Sequence, residues 1–273
     1  MTSSGIPAAS ATAERCATVR LVHTMGTVIS LDVRNWRSTE DPGPALDAAE
    51  GVVRNADAMF STYRPDSWIS RLARRAVRPA ELPPAVLDVL ALCAEVEGLT
   101  DGLFTARWRG DGTLDPTGLV KGWAAARASQ ALIEHGLVDH CVNAAGDVVL
   151  SGRPDRDRHW RVGIADPQQP GALLGVVDTG ALRGARAVAT SGVAEQGLHI
   201  RDPRDGRRAD SVLSATVVGA DPAIADGLAT ALVVAGPAAS GLLAGWRELG
   251  WTGCLLTAAG ELHDPDGILA PTS

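Results

Sequence analysis

One lysine, Lys121, stands among 273 residues, against twenty-four arginines, and there is one tyrosine, Tyr63. Where either cation serves, this composition uses arginine. The surviving lysine therefore marks a position where arginine does not fit, or a chance survivor. Aromatic residues make up only 4% of the chain, so a core must be built mainly from Ala, Val and Leu. At 45% hydrophobic residues such a core is available, which excludes global disorder. The four cysteines (Cys16, Cys93, Cys141, Cys254) are widely spaced with no C-x-x-C pair, which argues against a zinc site or a disulfide framework. They read as mostly buried thiols. There is no basic excess: the formal charge is −7, which argues against a general nucleic-acid binder. No continuous run of about 18 apolar residues is seen, so no transmembrane helix is expected. The first twenty residues lack a signal-like apolar stretch, and Cys16 follows Glu14 and Arg15, unlike a lipoprotein cleavage site. The expectation is a cytoplasmic protein with no membrane anchor.

Residues 1–18 read as a flexible segment and 19–273 as one domain of two closely packed lobes. Residues 19–34 alternate around Met25-Gly26-Thr27 and predict strand, turn and strand. Residues 42–60 carry Leu46, Ala49, Val52, Val53, Ala56 and Phe60 at helical spacing. A polar loop at 61–67 leads to a short helix ending near Arg75, and Pro83-Pro84 starts another running to about Leu99. Residues 107–117 look irregular, and 118–136 form an Ala-rich helix stopped by Gly136. Strands are expected at 139–150, 159–166, 173–182, 187–191, 196–201 and 211–219. Asp221-Pro222 predicts a capped helix to about Ala235, with another after Pro237, and a closing hairpin turns near Gly260 and again near Gly267. Strands follow strands without alternating helices. The fold class is therefore α+β, a mainly antiparallel sheet flanked by helices.

Several segments carry possible chemistry. In Leu114-Asp115-Pro116-Thr117-Gly118-Leu119-Val120-Lys121-Gly122-Trp123 a tight turn opens into a helix. Such a start offers free N–H groups and a positive dipole end to a phosphate, with Lys121 one turn in; a plain helix cap is the alternative. It is not a Walker A loop. In Ala225-Asp226-Gly227-Leu228-Ala229-Thr230, Asp226 and Thr230 share one helix face. Carboxylate and hydroxyl are hard oxygen ligands suited to Mg²⁺, unless the pair is simply helix chemistry. His199 ends a strand before the turn Asp202-Pro203-Arg204-Asp205-Gly206. Val188-Ala189-Thr190-Ser191-Gly192 and Phe60-Ser61-Thr62-Tyr63-Arg64-Pro65-Asp66-Ser67 are either site loops or ordinary turns.

Together and in this order, the segments resemble the FAD:protein FMN transferase family. The matching pieces are M-G-T at Met25, F-S-T-Y-x-P-D-S at Phe60, D-x-x-G-x-x-K-G at Asp115, N-A-x-G-D at Asn143, A-T-S-G at Ala189, H-I-x-D-P-x-x-G at His199 and A-D-x-x-A-T at Ala225. The resemblance implies that Met25, Tyr63, Asp115, Lys121, Ser191, His199 and Arg201 contact FAD. It implies that the Gly118 carbonyl, Asp226 and Thr230 bind Mg²⁺. The implied reaction is attack by a Thr or Ser hydroxyl of an acceptor protein on FAD, leaving FMN on the protein and releasing AMP. His199 is the first candidate for the general base and Asp226 the second. Two rival readings remain at this point: Mg²⁺-dependent hydrolysis of FAD to FMN and AMP, or FAD binding without turnover.

Overall fold

A long hairpin opens the fold. Strands β1 (Arg15–Thr24) and β2 (Thr27–Arg37) pair antiparallel through a two-residue turn. Met25 and Gly26 in that turn both have positive φ, 53° and 70°. This turn geometry matches the right-handed twist of the strands it joins. β1 begins at Arg15, four residues before the boundary expected from the sequence. In this computed structural model residues 15–182, 184, 186–192 and 200–272 are described.

Helix α1 (Gly43–Phe60) follows Pro42 and buries Leu46, Ala49, Val53, Ala56 and Phe60 of the expected stripe, while Val52 at its edge is only partly buried. Helix α2 (Trp68–Ala73) is capped by Ser67, whose hydroxyl accepts from the Ser70 N–H at 3.0 Å. Next come α3 (Pro84–Leu99) and α4 (Thr117–Glu134). The sequence suggested one strand over residues 139–150. The structure instead folds it into a hairpin, β3 (His140–Ala144) and β4 (Asp147–Ser151). Ala145 and Gly146 form the turn with φ of 55° and 92°. An alanine at positive φ is uncommon, which hid the turn from a composition-based reading. Asn143 supports it by accepting the Gly146 N–H at 2.9 Å.

The remaining elements are β5 (Arg161–Ala165), β6 (Leu173–Asp178), β7 (Ala187–Gly192), β8 (Val212–Gly219), α5 (Pro222–Ala235), α6 (Ala239–Trp246), β9 (Thr252–Thr257), β10 (Leu262–His263) and β11 (Leu269–Ala270). The strand expected at 196–201 falls mostly on residues outside the described set. Arg201 makes a single antiparallel bridge to Arg208. After the second expected turn, β11 pairs with β6 and leaves the sheet of β9 and β10.

All strand pairs are antiparallel, in an eight-stranded sheet of order β1-β2-β3-β4-β7-β8-β9-β10 and a three-stranded sheet of order β11-β6-β5. The period of two divides the large sheet between two cores. Val149, Ala187, Ala189, Val217 and Leu255 face the helices. Val148, Val188, Val218 and Cys254 alternate with them and face Ile164 and Val177 of the small sheet. Central strands β4 and β8 are therefore buried at successive positions, because both faces are covered. Cys93 and Cys254 are buried, whereas Cys16 and Cys141 are half-buried.

One exception meets the expectation of no membrane-length apolar stretch. The helical run Pro222–Leu249 has 28 residues and a mean hydropathy of 1.7, enough by length and composition to cross a membrane. Its first part, α5, lies in the core, packed on α4, β7 and β8, and that placement accounts for its apolarity.

α4 and α5 approach closely where Gly122 meets Pro222. A Cβ at Gly122 would lie 2.2 Å from the Pro222 carbonyl oxygen, and backbone cannot swing aside. Gly122→Ala is expected to lose about 1–3 kcal/mol of stability by overpacking. A urea midpoint equal to wild type would contradict that packing.

A buried histidine ties α4 to β3. His140 is 0% exposed; its Nδ1 lies 2.7 Å from the Leu137 carbonyl and its Nε2 lies 2.7 Å from the Ser129 hydroxyl. A neutral ring protonated on Nδ1 satisfies both contacts. Burial lowers its pKa from the ordinary 6.5. The unfolded state therefore binds this proton first. Its contribution is complete above pH 6.5 and declines as pH falls towards the lowered value. His140→Gln is expected to flatten the dependence of melting temperature on pH below 6.5; parallel curves would contradict this.

Candidate functional site

The loop between α3 and α4 shows why α4 starts where it does. Asp115 is buried, and its Oδ1 accepts from the Thr117 N–H at 3.2 Å and the Thr117 hydroxyl at 2.6 Å. Its Oδ2 takes the Arg109 guanidinium at 2.6 Å and 3.1 Å. Of the two oxygens of this residue, expected to contact ligand, one thus fixes the helix start and the other holds Arg109 in the preceding loop. α5 begins as the sequence indicated. Asp221 accepts from the N–H groups of Ala223 and Ile224 at 2.9 and 3.0 Å, with Pro222 in the first helical position.

These two helix starts meet the ends of β4 and β7 at a buried polar cluster. Lys121 on α4 forms an ion pair with Asp147 at the start of β4. Asp226 on α5 accepts the Gly122 N–H at 3.3 Å. Thr230, one turn further, lies 3.0 Å from Ser191 on β7, hydroxyl to hydroxyl. Asp147 is 0% exposed and Asp226 2%. Burial, then the neighbouring charge of Asp147, pushes the Asp226 carboxyl well above the ordinary carboxylate range. Burial also raises the Asp147 carboxyl, against the opposing pull of Lys121. Two carboxylates face one ammonium here, and Asp147 Oδ1 has no hydrogen-bond partner among the described residues.

That arrangement suits a further cation. Among the described residues no group of three or more His, Cys, Asp or Glu side chains forms a metal cage. One carboxylate with neutral oxygens beside it is, however, a donor set that fits Mg²⁺, which keeps places for water and phosphate. Soft or nitrogen-preferring metals find no thiolate or imidazole among these donors.

The cluster forms the floor of a cleft of about 890 Å³. Met25, Tyr63, Asp115, Gly118, Lys121, Ser191, Arg201, Asp226 and Thr230 all line it. They come from the β1–β2 turn, the loop after α1, the starts of α4 and α5, the end of β7 and the segment after residue 200. Tyr63 is 96% exposed at the rim. His199, the remaining residue singled out in the sequence, lies outside the described residues. Sequence reasoning did not place Asp147 or Arg109 in the site. Asp147 was visible only as the last letter of the Asn143 motif, and Arg109 carried no signal of its own.

Comparison with known proteins shows the family. The family model of the ApbE family matches residues 25–110 and 107–250. A FAD:protein FMN transferase from Vibrio cholerae is 30% identical over 270 residues, covering 78% of this chain and 80% of that protein. One from Rhodobacter capsulatus is 38% identical over 131 residues, covering 45% of this chain and only 24% of that protein. The crystal structure of the ApbE protein from Thermotoga maritima superposes with a TM-score of 0.80 at 20% identity, over 92% of this chain and 97% of that one. That likeness concerns the fold. With the family model spanning most of its length, this chain belongs to the ApbE family.

Proposed function

We propose that this chain transfers FMN from FAD to a Thr or Ser hydroxyl of an acceptor protein, releasing AMP, with Mg²⁺ as the assisting ion. The observation that carries this reading is convergence. Nine residues singled out from separate sequence segments line one cleft, beside a cluster in which the buried carboxyl groups of Asp147 and Asp226 adjoin Lys121. Relatives named FAD:protein FMN transferase support it.

Asp226, Thr230 and the Gly118 carbonyl, which all line the cleft, would hold the Mg²⁺. The ion would supply charge neutralisation for the pyrophosphate. Lys121 adds a second positive charge at the same phosphates, and the start of α4 directs N–H groups towards them. The acceptor hydroxyl oxygen bonds to the phosphorus on the riboflavin side, and the bond from that phosphorus to the bridging oxygen breaks. AMP departs with that oxygen, and the hydroxyl proton passes to His199. Positioning and charge neutralisation supply most of such a phosphoryl transfer. General-base help adds about 10²–10⁴-fold.

The test is incubation of the chain with FAD, Mg²⁺ and hydroxyl-bearing acceptor peptides, read by mass. The expected product is a peptide carrying FMN, with AMP in equal amount. AMP together with free FMN and unmodified peptide would mean hydrolysis and overturn the transfer reading.

A further inference from the structure

Trp108 also lines the cleft, and none of the sequence motifs includes it. The Arg109 guanidinium carbon lies 4.5 Å from the Trp108 ring centroid, so a cation covers one face of the indole. Arg109 is itself held by buried Asp115, which the first residue of α4 holds in turn. The indole is therefore backed by a chain of three contacts running into the helix that carries Lys121. Of the other aromatic residues at the cleft, Phe60 and Phe104 are buried in the core and Tyr63 stands almost fully in solvent. Trp108 is half-buried, so it keeps exposed surface while being fixed in place.

A fixed, half-exposed indole is suited to one task, stacking against a flat ring. We propose that Trp108 is a ring-binding plate of this cleft, on which a planar heteroaromatic ring of FAD, adenine or isoalloxazine, lies. Arg109 and Asp115 act as positioning residues. This rests on the reading that FAD is the ligand of the cleft. Stacking recognises any flat π-system, so the indole fixes where the ring lies while the α4 start and Lys121 fix the phosphates. It also gives Asp115 a part in FAD binding although both its oxygens are already engaged.

The test is equilibrium titration of wild type, Trp108→Ala and Trp108→Phe with FAD, then with FMN and AMP separately, with urea midpoints measured beside them. Trp108→Ala is expected to weaken FAD by tenfold or more, about 1.4 kcal/mol. Trp108→Phe, which keeps a flat ring, is expected to lose less than about threefold. The fragment that loses affinity in parallel with FAD identifies the stacked ring. Unchanged FAD affinity in Trp108→Ala overturns the inference while leaving FAD binding intact. So does an equal loss in both variants with lowered urea midpoints, which marks a structural role. If wild type binds no FAD, the functional reading fails and the inference with it.

Discussion

Asp226→Ala is expected to abolish Mg²⁺-dependent turnover while the protein remains folded. Asp226 is the charged side chain on the face it shares with Thr230, and it is almost fully buried. A metal ion contributes several kcal/mol of charge stabilisation to such a step. At about 1.4 kcal/mol per tenfold, its loss amounts to at least about 10²-fold in rate. The fold is expected to tolerate the change. The carboxyl is pushed up by burial and by Asp147, so removing it relieves an unfavourable environment. In the absence of metal, Asp226→Asn should therefore be at least as stable as wild type. Thr230→Val removes one neutral donor and the contact to Ser191, and a smaller loss is expected because water can replace a hydroxyl. Wild-type turnover by Asp226→Ala in saturating Mg²⁺ would remove this residue from the mechanism.

The second large effect belongs to Lys121. Its ammonium pairs with Asp147, whose side chain is 1% exposed. Lys121→Met leaves that carboxylate buried without its cation, a change that costs about 3–5 kcal/mol in comparable buried pairs. Adding Asp147→Asn removes the stranded charge, so the double variant should recover much of the stability. Additive losses in urea unfolding would contradict the pairing. Lys121→Arg asks a different question. Arginine keeps the charge but replaces a compact ammonium with a broad planar fork. A planar fork cannot reproduce the geometry by which the compact ammonium meets the buried Asp147 carboxylate. FAD affinity is expected to fall about tenfold, or 1.4 kcal/mol. Unchanged affinity and turnover would mean that the lone lysine is a chance survivor.

Much of this architecture was legible in the chain because local chemistry and tertiary placement agree. Asp221-Pro222 reads as a helix start and is one, and the stripe from Leu46 to Phe60 faces the core at the expected period. Other features depend on contacts that sequence does not carry. The turn at Ala145-Gly146 needs a positive φ that alanine does not advertise. β11 joins β6 across the fold, although its short sequence is equally suited to extending the terminal hairpin. The apolarity of α5 reflects burial among α4, β7 and β8, and from composition alone it cannot be told from a membrane span. Within the candidate site, Lys121 and Asp226 stand in motifs that gain weight only when read together with the other segments. Asp147 and Arg109 acquire their importance from a partner elsewhere: Lys121, 26 residues away, and Asp115, 6 away.

FAD pyrophosphate and Mg²⁺ are proposed to meet at Asp226, Thr230 and Lys121. FAD titration of wild type and Asp226→Asn, each with and without Mg²⁺, tests it most directly. Binding linkage requires that if Mg²⁺ strengthens FAD, FAD strengthens Mg²⁺ by the same factor. Mg²⁺ is predicted to tighten FAD binding in wild type and to have no effect in Asp226→Asn; wild-type affinity indifferent to Mg²⁺, or an equal gain in both proteins, would contradict it.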